Sequence, residues 1–332
     1  MIVACRRLRR ILHLCGRSSS RPYYVALCML LFTLSSHVDW KEIFAAEDPE
    51  VDITTHLNHL DLLDPQKIAV RENISSNDLI VVTAFSYNHA KEARLFCEHF
   101  NTHPELSKWT GSWRLILYNL GDVSPYMIER MRRQCPKAEF RDFDFSPYPR
   151  YVRRLKEYRW KHLLIAEMLK ESPLVFYGDT SARVLNYKSQ TPMQDIIDEI
   201  LQPNRIGVSL YTETTSSIFQ ATNPLMFPFF TYNVSMAKDV TMCNASPALW
   251  IGTNEVKTYI LREMVKCSLE RDCMAPPGSQ IPCSSNEDSG IYSNCHRYDQ
   301  SALNIVLSQV SNYQSYLYIS GTQNVAVRRG IH

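Results

Sequence analysis

The sequence predicts an α/β fold with a mainly parallel sheet and helices on both faces. Apolar, β-branched runs typical of buried strands alternate with segments of helical periodicity. Because neighbouring parallel strands need a crossover connection, this alternation of strand and helix indicates a parallel sheet. In such sheets ligands bind beyond the carboxyl ends of the strands, so polar residues at those ends are the candidates for a site.

The predicted elements begin at residue 79. Strands are expected over 79–85, 113–121, 138–145, 173–185 and 206–211. Helices are expected over 88–103, 124–135, 151–171, 192–201, 254–267 and 301–310. Ser124 followed by Pro125 is a typical start of a helix, because serine caps the first turn and proline fits its first position.

The N-terminal residues predict a membrane anchor. Residues 1–21 hold six arginines and no acidic residue, and an uncharged apolar run follows at 23–38 between aromatic residues. A basic flank before an apolar segment is typical of the cytosolic side. We therefore expect a single-pass type II protein of the secretory pathway, although a cleaved signal peptide and a mitochondrial transit peptide are alternatives. The predicted parts are a cytosolic tail at 1–21, a signal-anchor helix at 22–40, a stem at 41–77 and a lumenal domain at 78–332.

The charge and cysteine patterns agree with a lumenal domain. The arginines of the tail account for the net charge of +2, so the rest is mildly acidic, which argues against a nucleic-acid partner.

Five of the ten cysteines lie within 243–295, which predicts a disulfide-rich loop region in an oxidising compartment. A zinc site is the alternative, but no Cys-x2-Cys pair is present. The connectivity stays open, and the pairs Cys97–Cys135 and Cys283–Cys295 are only hypotheses. Sequons for N-glycosylation occur at Asn73, Asn233 and Asn244.

Three polar constellations can carry chemistry. Asp179 ends a predicted strand, where its carboxylate can bind Mg²⁺ or Mn²⁺ bridging a nucleotide diphosphate, or can simply stabilise a turn. Asp299 opens a helix and is either a base or sugar ligand, or an N-cap. The basic, aromatic segment 150–161 can hold a phosphate, or can be a solvated helix face.

A family resemblance bears on the same segments. The stretches LILYNLG, FDFSPYP, YRWKHLLIAEMLKE, LVFYGDTSARV and CHRYDQSALNIVL resemble a family of membrane-anchored proteins expanded in nematodes. That family is similar in turn to glycosyltransferases of the GT-A fold. The resemblance covers about residues 78–310, and 143–184 is its most specific part. Ser181 stands where the Asp-x-Asp motif of GT-A enzymes has its second carboxylate, and Ser301 replaces the second aspartate of an Asp-Gln-Asp motif. His332 is the one candidate for the C-terminal metal-binding histidine of such enzymes.

The resemblance implies a GT-A-like fold and a nucleotide-sugar site. The implied nucleoside site comprises Thr83, Ala84 and Phe85. The implied ligands for Mn²⁺ or Mg²⁺ are Asp179 and Ser181, and the implied phosphate-binding cations are Lys161 and Arg183. The implied acceptor site comprises Asp299, Gln300 and Asn304. It implies a Golgi or ER glycosyltransferase that uses a UDP- or GDP-sugar and a glycan or protein acceptor. Asp179 would coordinate the metal ion that stabilises the leaving nucleotide diphosphate, and Asp299 would orient the acceptor or act as base. The alternatives are an inactive GT-A-like binding or scaffold protein and a lumenal hydrolase, for which no motif is present.

Overall fold

The computed structural model describes residues 51–109, 113–185, 189–284, 288, 290–321 and 325–327. The predicted tail and anchor, and His332, lie outside these residues. No helix among the described residues is long and apolar enough to cross a membrane.

The described strands and helices follow the chain in this order. The strands are β1 (Leu79–Phe85), β2 (Arg114–Asn119), β3 (Ala138–Asp142), β4 (Leu174–Tyr177), β5 (Ala182–Val184), β6 (Val208–Leu210), β7 (Glu213–Ser217), β8 (Thr241–Cys243), β9 (Ala248–Ile251) and β10 (Val325–Val327). The α-helices are α1 (Ile53–His59), α2 (Ala90–Asn101), α3 (Pro125–Gln134), α4 (Trp160–Glu171), α5 (Pro192–Ile200), α6 (Arg262–Leu269), α7 (Arg271–Met274) and α8 (Asp299–Val310).

Six strands form one sheet in the order β3-β2-β1-β4-β9-β6. The strands β3, β2, β1 and β4 are parallel neighbours, whereas β9 is antiparallel to both β4 and β6. The predicted α/β class with a mainly parallel sheet is confirmed. The smaller pairs are β10 with β5 and β7 with β8, both antiparallel.

The sheet is buried because its central strands are continuously apolar. Every residue of β1 and β4 is buried, as expected for strands covered on both faces. On α2, Ala93, Phe96 and Phe100 are buried, and this helix contacts β1 and β2. Helix α4 is buried on nearly all sides because it lies between β4 and α6.

Two predicted elements are interrupted, and both breaks lie beside the candidate site. The predicted helix 151–171 instead consists of two short 3-10 turns followed by α4, with Tyr158 in the left-handed region at φ 55°. The buried guanidinium of Arg159 holds this break in place by donating to three backbone carbonyls of residues 268–271. The predicted strand 173–185 is divided between β4 and β5 by a turn at Gly178, where a Cβ would lie 2.9 Å from the Phe96 ring.

The domain begins earlier than the sequence predicts. Residues 51–77, assigned to the stem, belong to the same compact unit as the rest of the described chain. Leu60 and Leu62 are each only 1% exposed, and Asp61 forms an ion pair of 2.6 Å with Lys257. The segment packs on the domain because it carries these apolar side chains, so residues 51–77 are part of the folded domain and not of a stem.

Three disulfides are formed among the residues that the structure describes. Both hypothesised pairs, Cys97–Cys135 and Cys283–Cys295, are present, and the third is Cys267–Cys273. Cys243 is left as a buried free thiol. The first disulfide joins α2 to the end of α3 and so fastens two helices that flank the sheet.

Candidate functional site

Asp179 lies at the carboxyl end of β4, directly after the turn at Gly178. Its backbone N–H donates to the hydroxyl of Ser246 at 2.7 Å, and its Oδ1 accepts a hydrogen bond from the Tyr177 hydroxyl at 3.1 Å. The side chain is 48% exposed. The carboxylate is therefore held at the edge of the sheet and remains accessible to a ligand.

Asp299 and Lys161 complete a charged cluster with Asp179. Asp299 is the first residue of α8 and does not cap it, since the N-cap position is Tyr298. The Nζ atom of Lys161, near the start of α4, lies 2.6 Å from Oδ2 of Asp299 and 3.4 Å from Oδ1 of Asp179. The fold thus brings together the two aspartates that the sequence singles out and places a lysine between them.

Burial and the neighbouring charges together set the pKa values in this cluster. It raises the pKa of Asp299, although the Lys161 ammonium acts in the opposite direction. Burial also opposes the charge of Lys161, but Asp179 and Asp299 outweigh it and raise the pKa of this lysine. The ammonium lies 5.1 and 5.3 Å from the ring centroids of Tyr158 and Tyr177, which further favours the cation. Lys161 is therefore a fixed positive charge at neutral pH.

Two cavities meet at Asp179. The first has a volume of about 490 Å³ and is lined by Tyr158, Lys161, Asp179, Asn244, Ala245, Ser246, Ile281, Arg297, Tyr298, Asp299 and Gln300. The second has a volume of about 610 Å³ and is lined by Ala84, Phe85, Ser86, Asn88, His89, Glu92, Leu120, Asp122, Leu155, Lys156, Tyr158, Trp160, Asp179, Thr180, Ser181 and Ile281. Asp179, Tyr158 and Ile281 line both cavities and mark their junction, and Lys161 and Asp299 line the first cavity beside it.

Most of the residues named from the sequence line these cavities. Ala84, Phe85 and Ser181 lie in the second cavity, and Gln300 lies in the first beside Asp299. Thr83 precedes them on β1 but is fully buried, and its hydroxyl lines neither cavity.

Arg183 and Asn304 stabilise the fold instead of lining a cavity. The buried guanidinium of Arg183 donates to the carbonyl oxygens of Thr180 and Ala182 at 2.9 and 2.6 Å. The buried amide of Asn304 accepts from the N–H of Cys243 at 2.7 Å and donates to its carbonyl at 2.8 Å. Neither residue lines the two cavities, because these contacts turn both side chains into the protein.

Several other lining residues had little signal in the sequence. Tyr158 and Tyr298 both have positive φ, at 55° and 49°, and their ring centroids lie 6.3 Å apart. Such backbone is uncommon for a large side chain and marks positions that the surrounding structure constrains. The contact of Ser246 with Asp179 had no sequence signal, because the two residues are far apart in the chain.

The predicted metal ligands do not fit a divalent cation. Among the residues that the structure describes, no three His, Cys, Asp or Glu side chains come together as a metal site. Ser181 offers a hydroxyl where a second carboxylate is needed, and Asp299 is already paired with Lys161. Asp179 alone remains, and its Oδ1 already faces an ammonium. Mn²⁺ and Mg²⁺ bind through carboxylate oxygens, so this donor set is poor.

Comparisons with known proteins give a family match and distant structural likenesses. Residues 49–166 match a family described as protein of unknown function (DUF1647), which is less than half of the chain. No curated protein matches the sequence.

Three solved structures illustrate the structural likeness. WbbM, a bifunctional glycosyltransferase in its apo form, is 12% identical with a TM-score of 0.42, and the likeness covers 70% of this chain and 38% of WbbM. The galactosyltransferase LgtC, in complex with donor and acceptor sugar analogues, is 13% identical with a TM-score of 0.38, covering 76% of this chain and 87% of LgtC. Core-mannan synthase A from Aspergillus fumigatus, in its Mn/GDP form, is 7% identical with a TM-score of 0.41, covering 71% of this chain and 70% of the synthase. Likenesses this distant transfer no activity or ligand to this chain.

Proposed function

We propose that this protein binds a nucleotide-diphospho-sugar and transfers the sugar to a glycan or protein acceptor. The observation that carries the proposal is the convergence of Asp179, Lys161 and Asp299 where two cavities join at the carboxyl edge of the sheet. This edge is where open α/β sheets bind ligands. The sequence resemblance to GT-A glycosyltransferases supports the same assignment.

The two cavities suggest how donor and acceptor would be divided. The second cavity offers Ala84, Phe85 and Trp160 as apolar surface for a nucleoside. The diphosphate would then lie at the junction, facing Lys161. The first cavity, with Asp299 and Gln300, would hold the sugar and the acceptor.

The charged cluster of Asp179, Lys161 and Asp299 can assist the departure of the nucleotide diphosphate. In the transfer, the bond from the anomeric carbon to the diphosphate oxygen breaks, a bond to the acceptor oxygen forms, and the proton of the acceptor hydroxyl passes to the leaving diphosphate. Negative charge develops on the leaving diphosphate, and a preorganised cation beside it stabilises that charge. Lys161 is such a cation. Asp299 holds the ammonium in position and faces the acceptor side of the cluster.

Turnover of nucleotide sugars by Asp179→Ala tests this proposal. We expect a loss of about tenfold to a hundredfold, because the Asp179 carboxylate lines both cavities and can accept a hydrogen bond there from a hydroxyl of the bound sugar. Asp144→Ala is the matched control, since this exposed aspartate only stabilises a turn with Ser146 and should leave turnover unchanged. Wild-type turnover in Asp179→Ala would refute the catalytic assignment.

An inactive binding protein is the second candidate, because serines occupy two positions where the resemblance expects carboxylates. Ser181 lines the second cavity, and the hydroxyl of Ser301 donates to the carbonyl of Ala221 at 3.0 Å. Binding of a nucleotide sugar by the wild-type protein without any turnover would favour this alternative.

We further propose that the domain is lumenal in the Golgi or ER, anchored through residues 22–40. Three disulfides support an oxidising compartment, and Asn73 and Asn233 are exposed. A glycosidase should therefore reduce the mass of the protein from cells, and the shift should vanish in the double variant Asn73→Gln, Asn233→Gln. Asn244→Gln is the control, because Asn244 is half-buried in the first cavity. A chain without glycans at Asn73 and Asn233 would contradict this location.

A further inference from the structure

We propose that the site binds its nucleotide diphosphate without a divalent cation, with the Lys161 ammonium in the place that a metal ion would take. This inference rests on the proposed function and specifies which charge neutralises the diphosphate. It starts from the position of Lys161, which contacts both aspartates at the junction of the two cavities.

The first step concerns the carboxylates. Asp299 is 5% exposed and lies 2.6 Å from the ammonium, so its charge is already compensated. Asp179 is accessible, but its Oδ1 lies 3.4 Å from the same ammonium. A divalent cation bound to Asp179 would be repelled by a positive charge only a few ångströms away, in a site partly removed from water.

The second step concerns other possible metal ligands around Asp179. Ser181 supplies only a neutral hydroxyl. The second cavity holds two further acids, Glu92 and Asp122. The Oε2 of Glu92 accepts from the Thr180 hydroxyl at 2.9 Å and lies 3.0 Å from Nδ1 of His89, and Oδ1 of Asp122 accepts from the N–H of Tyr87 at 2.8 Å. Among the described lining residues, then, the acids beside the junction are already engaged by protein donors.

The third step concerns Lys161 itself. Its side chain is 4% exposed and is fixed by Asp299 and by the rings of Tyr158 and Tyr177. Asp179 is half-exposed and can turn away, so a phosphate oxygen can replace it as the partner of the ammonium. A charge-assisted hydrogen bond from a fixed donor to a phosphate is strong, because little side-chain freedom is lost on binding. Asp299 acts here as a positioning residue.

Calorimetric titration of the full-length protein with UDP, GDP, ADP and CDP tests the inference, in EDTA and in excess Mn²⁺. For whichever nucleotide binds, we expect a Kd that agrees between the two conditions within about a factor of three. Lys161→Met should weaken binding by roughly tenfold to a hundredfold, the usual cost of removing a charged hydrogen-bond partner. Lys161→Arg keeps the cation and should retain most of the affinity.

Lys257→Met is the matched control, because it removes another buried lysine that pairs with an aspartate at 2.6 Å but lines neither cavity. Its nucleotide affinity should equal that of the wild type once circular dichroism shows that it is folded.

The outcomes separate the inference from the proposed function. Nucleotide binding that requires Mn²⁺ would overturn the inference and leave the proposed function standing, and so would unchanged affinity in Lys161→Met. The comparison of EDTA with Mn²⁺ needs only the wild type, so it stays decisive if Lys161→Met does not fold. Failure of all four nucleotides to bind under both conditions would overturn the proposed function, and the inference with it.

Discussion

Two buried lysine–aspartate pairs have the same contact distance and different surroundings. Lys161–Asp299 and Lys257–Asp61 are each separated by 2.6 Å. Lys257 also donates to the carbonyl of Lys67 at 2.7 Å, and Asp61 accepts two backbone N–H groups. Lys161, by contrast, also lies 3.4 Å from Asp179, which is 48% exposed, and both Lys161 and Asp299 line the first cavity.

The difference shows how a structural ion pair can be told from a functional one. The pair at Asp61 is satisfied by protein groups and fastens residues 51–77 to the domain. The pair at Asp299 lines a cavity, and its lysine is shared with the half-exposed carboxylate of Asp179. Buried charged groups that line a cavity are candidates for ligand binding, so the pair at Asp299 indicates a place for a ligand.

The largest effect that tests this comparison is on stability. Lys257→Met should lower the free energy of unfolding by about 3–5 kcal/mol, because the charge of Asp61 would lose its buried partner. Lys161→Met should cost less, because Asp179 is half-exposed and burial already favours the protonated form of Asp299. Denaturant unfolding of both variants measures the difference. Equal losses would remove the distinction between the two pairs.

A smaller effect should appear in the pH dependence of stability. Burial opposes the charge of Asp61, but the hydrogen bonds from Lys257 and the backbone outweigh it, so the pKa of Asp61 is lowered. The pKa of Asp299 is raised by burial. A lowered folded-state pKa gives stability that is present above the unfolded pKa and lost as the pH falls, whereas a raised pKa gives stability that is lost as the pH rises.

The two carboxylates should therefore respond to acid in opposite directions. On lowering the pH from neutrality through the range where carboxylates titrate, the stability advantage of the wild type over Asp61→Asn should shrink. The advantage over Asp299→Asn should grow over the same range. Unfolding free energies measured across this range check both signs, and parallel trends in the two variants would contradict the comparison.

Much of the framework was predictable from local patterns. The apolar runs located β1, β2 and β3, and Ser124 caps α3 as expected, with its hydroxyl accepting from the N–H of Met127. The placement of Asp179 after a strand was also visible, because the run that becomes β4 ends at Gly178. The insertion of antiparallel β9 between β4 and β6 was not visible, since strand order depends on contacts between distant parts of the chain.

The candidate site shows the same division. Local sequence identified Asp179 and Asp299, and the family resemblance added Lys161. The resemblance also assigned Arg183 and Asn304 to ligands, whereas their polar groups bind the backbone. A side chain's partner cannot be read from its neighbours in sequence, because burial and packing select among several possible partners.

The sequence by itself determined the α/β class, most strand and helix positions and the acids at the sheet edge, because periodicity and capping act over a few residues. Only the tertiary structure decided that Lys161 stands between Asp179 and Asp299, that this cluster lies where two cavities meet, and that residues 51–77 belong to the domain. These features depend on ion pairs and apolar contacts between segments far apart in the chain, and such contacts exist only once the helices and the sheet have packed.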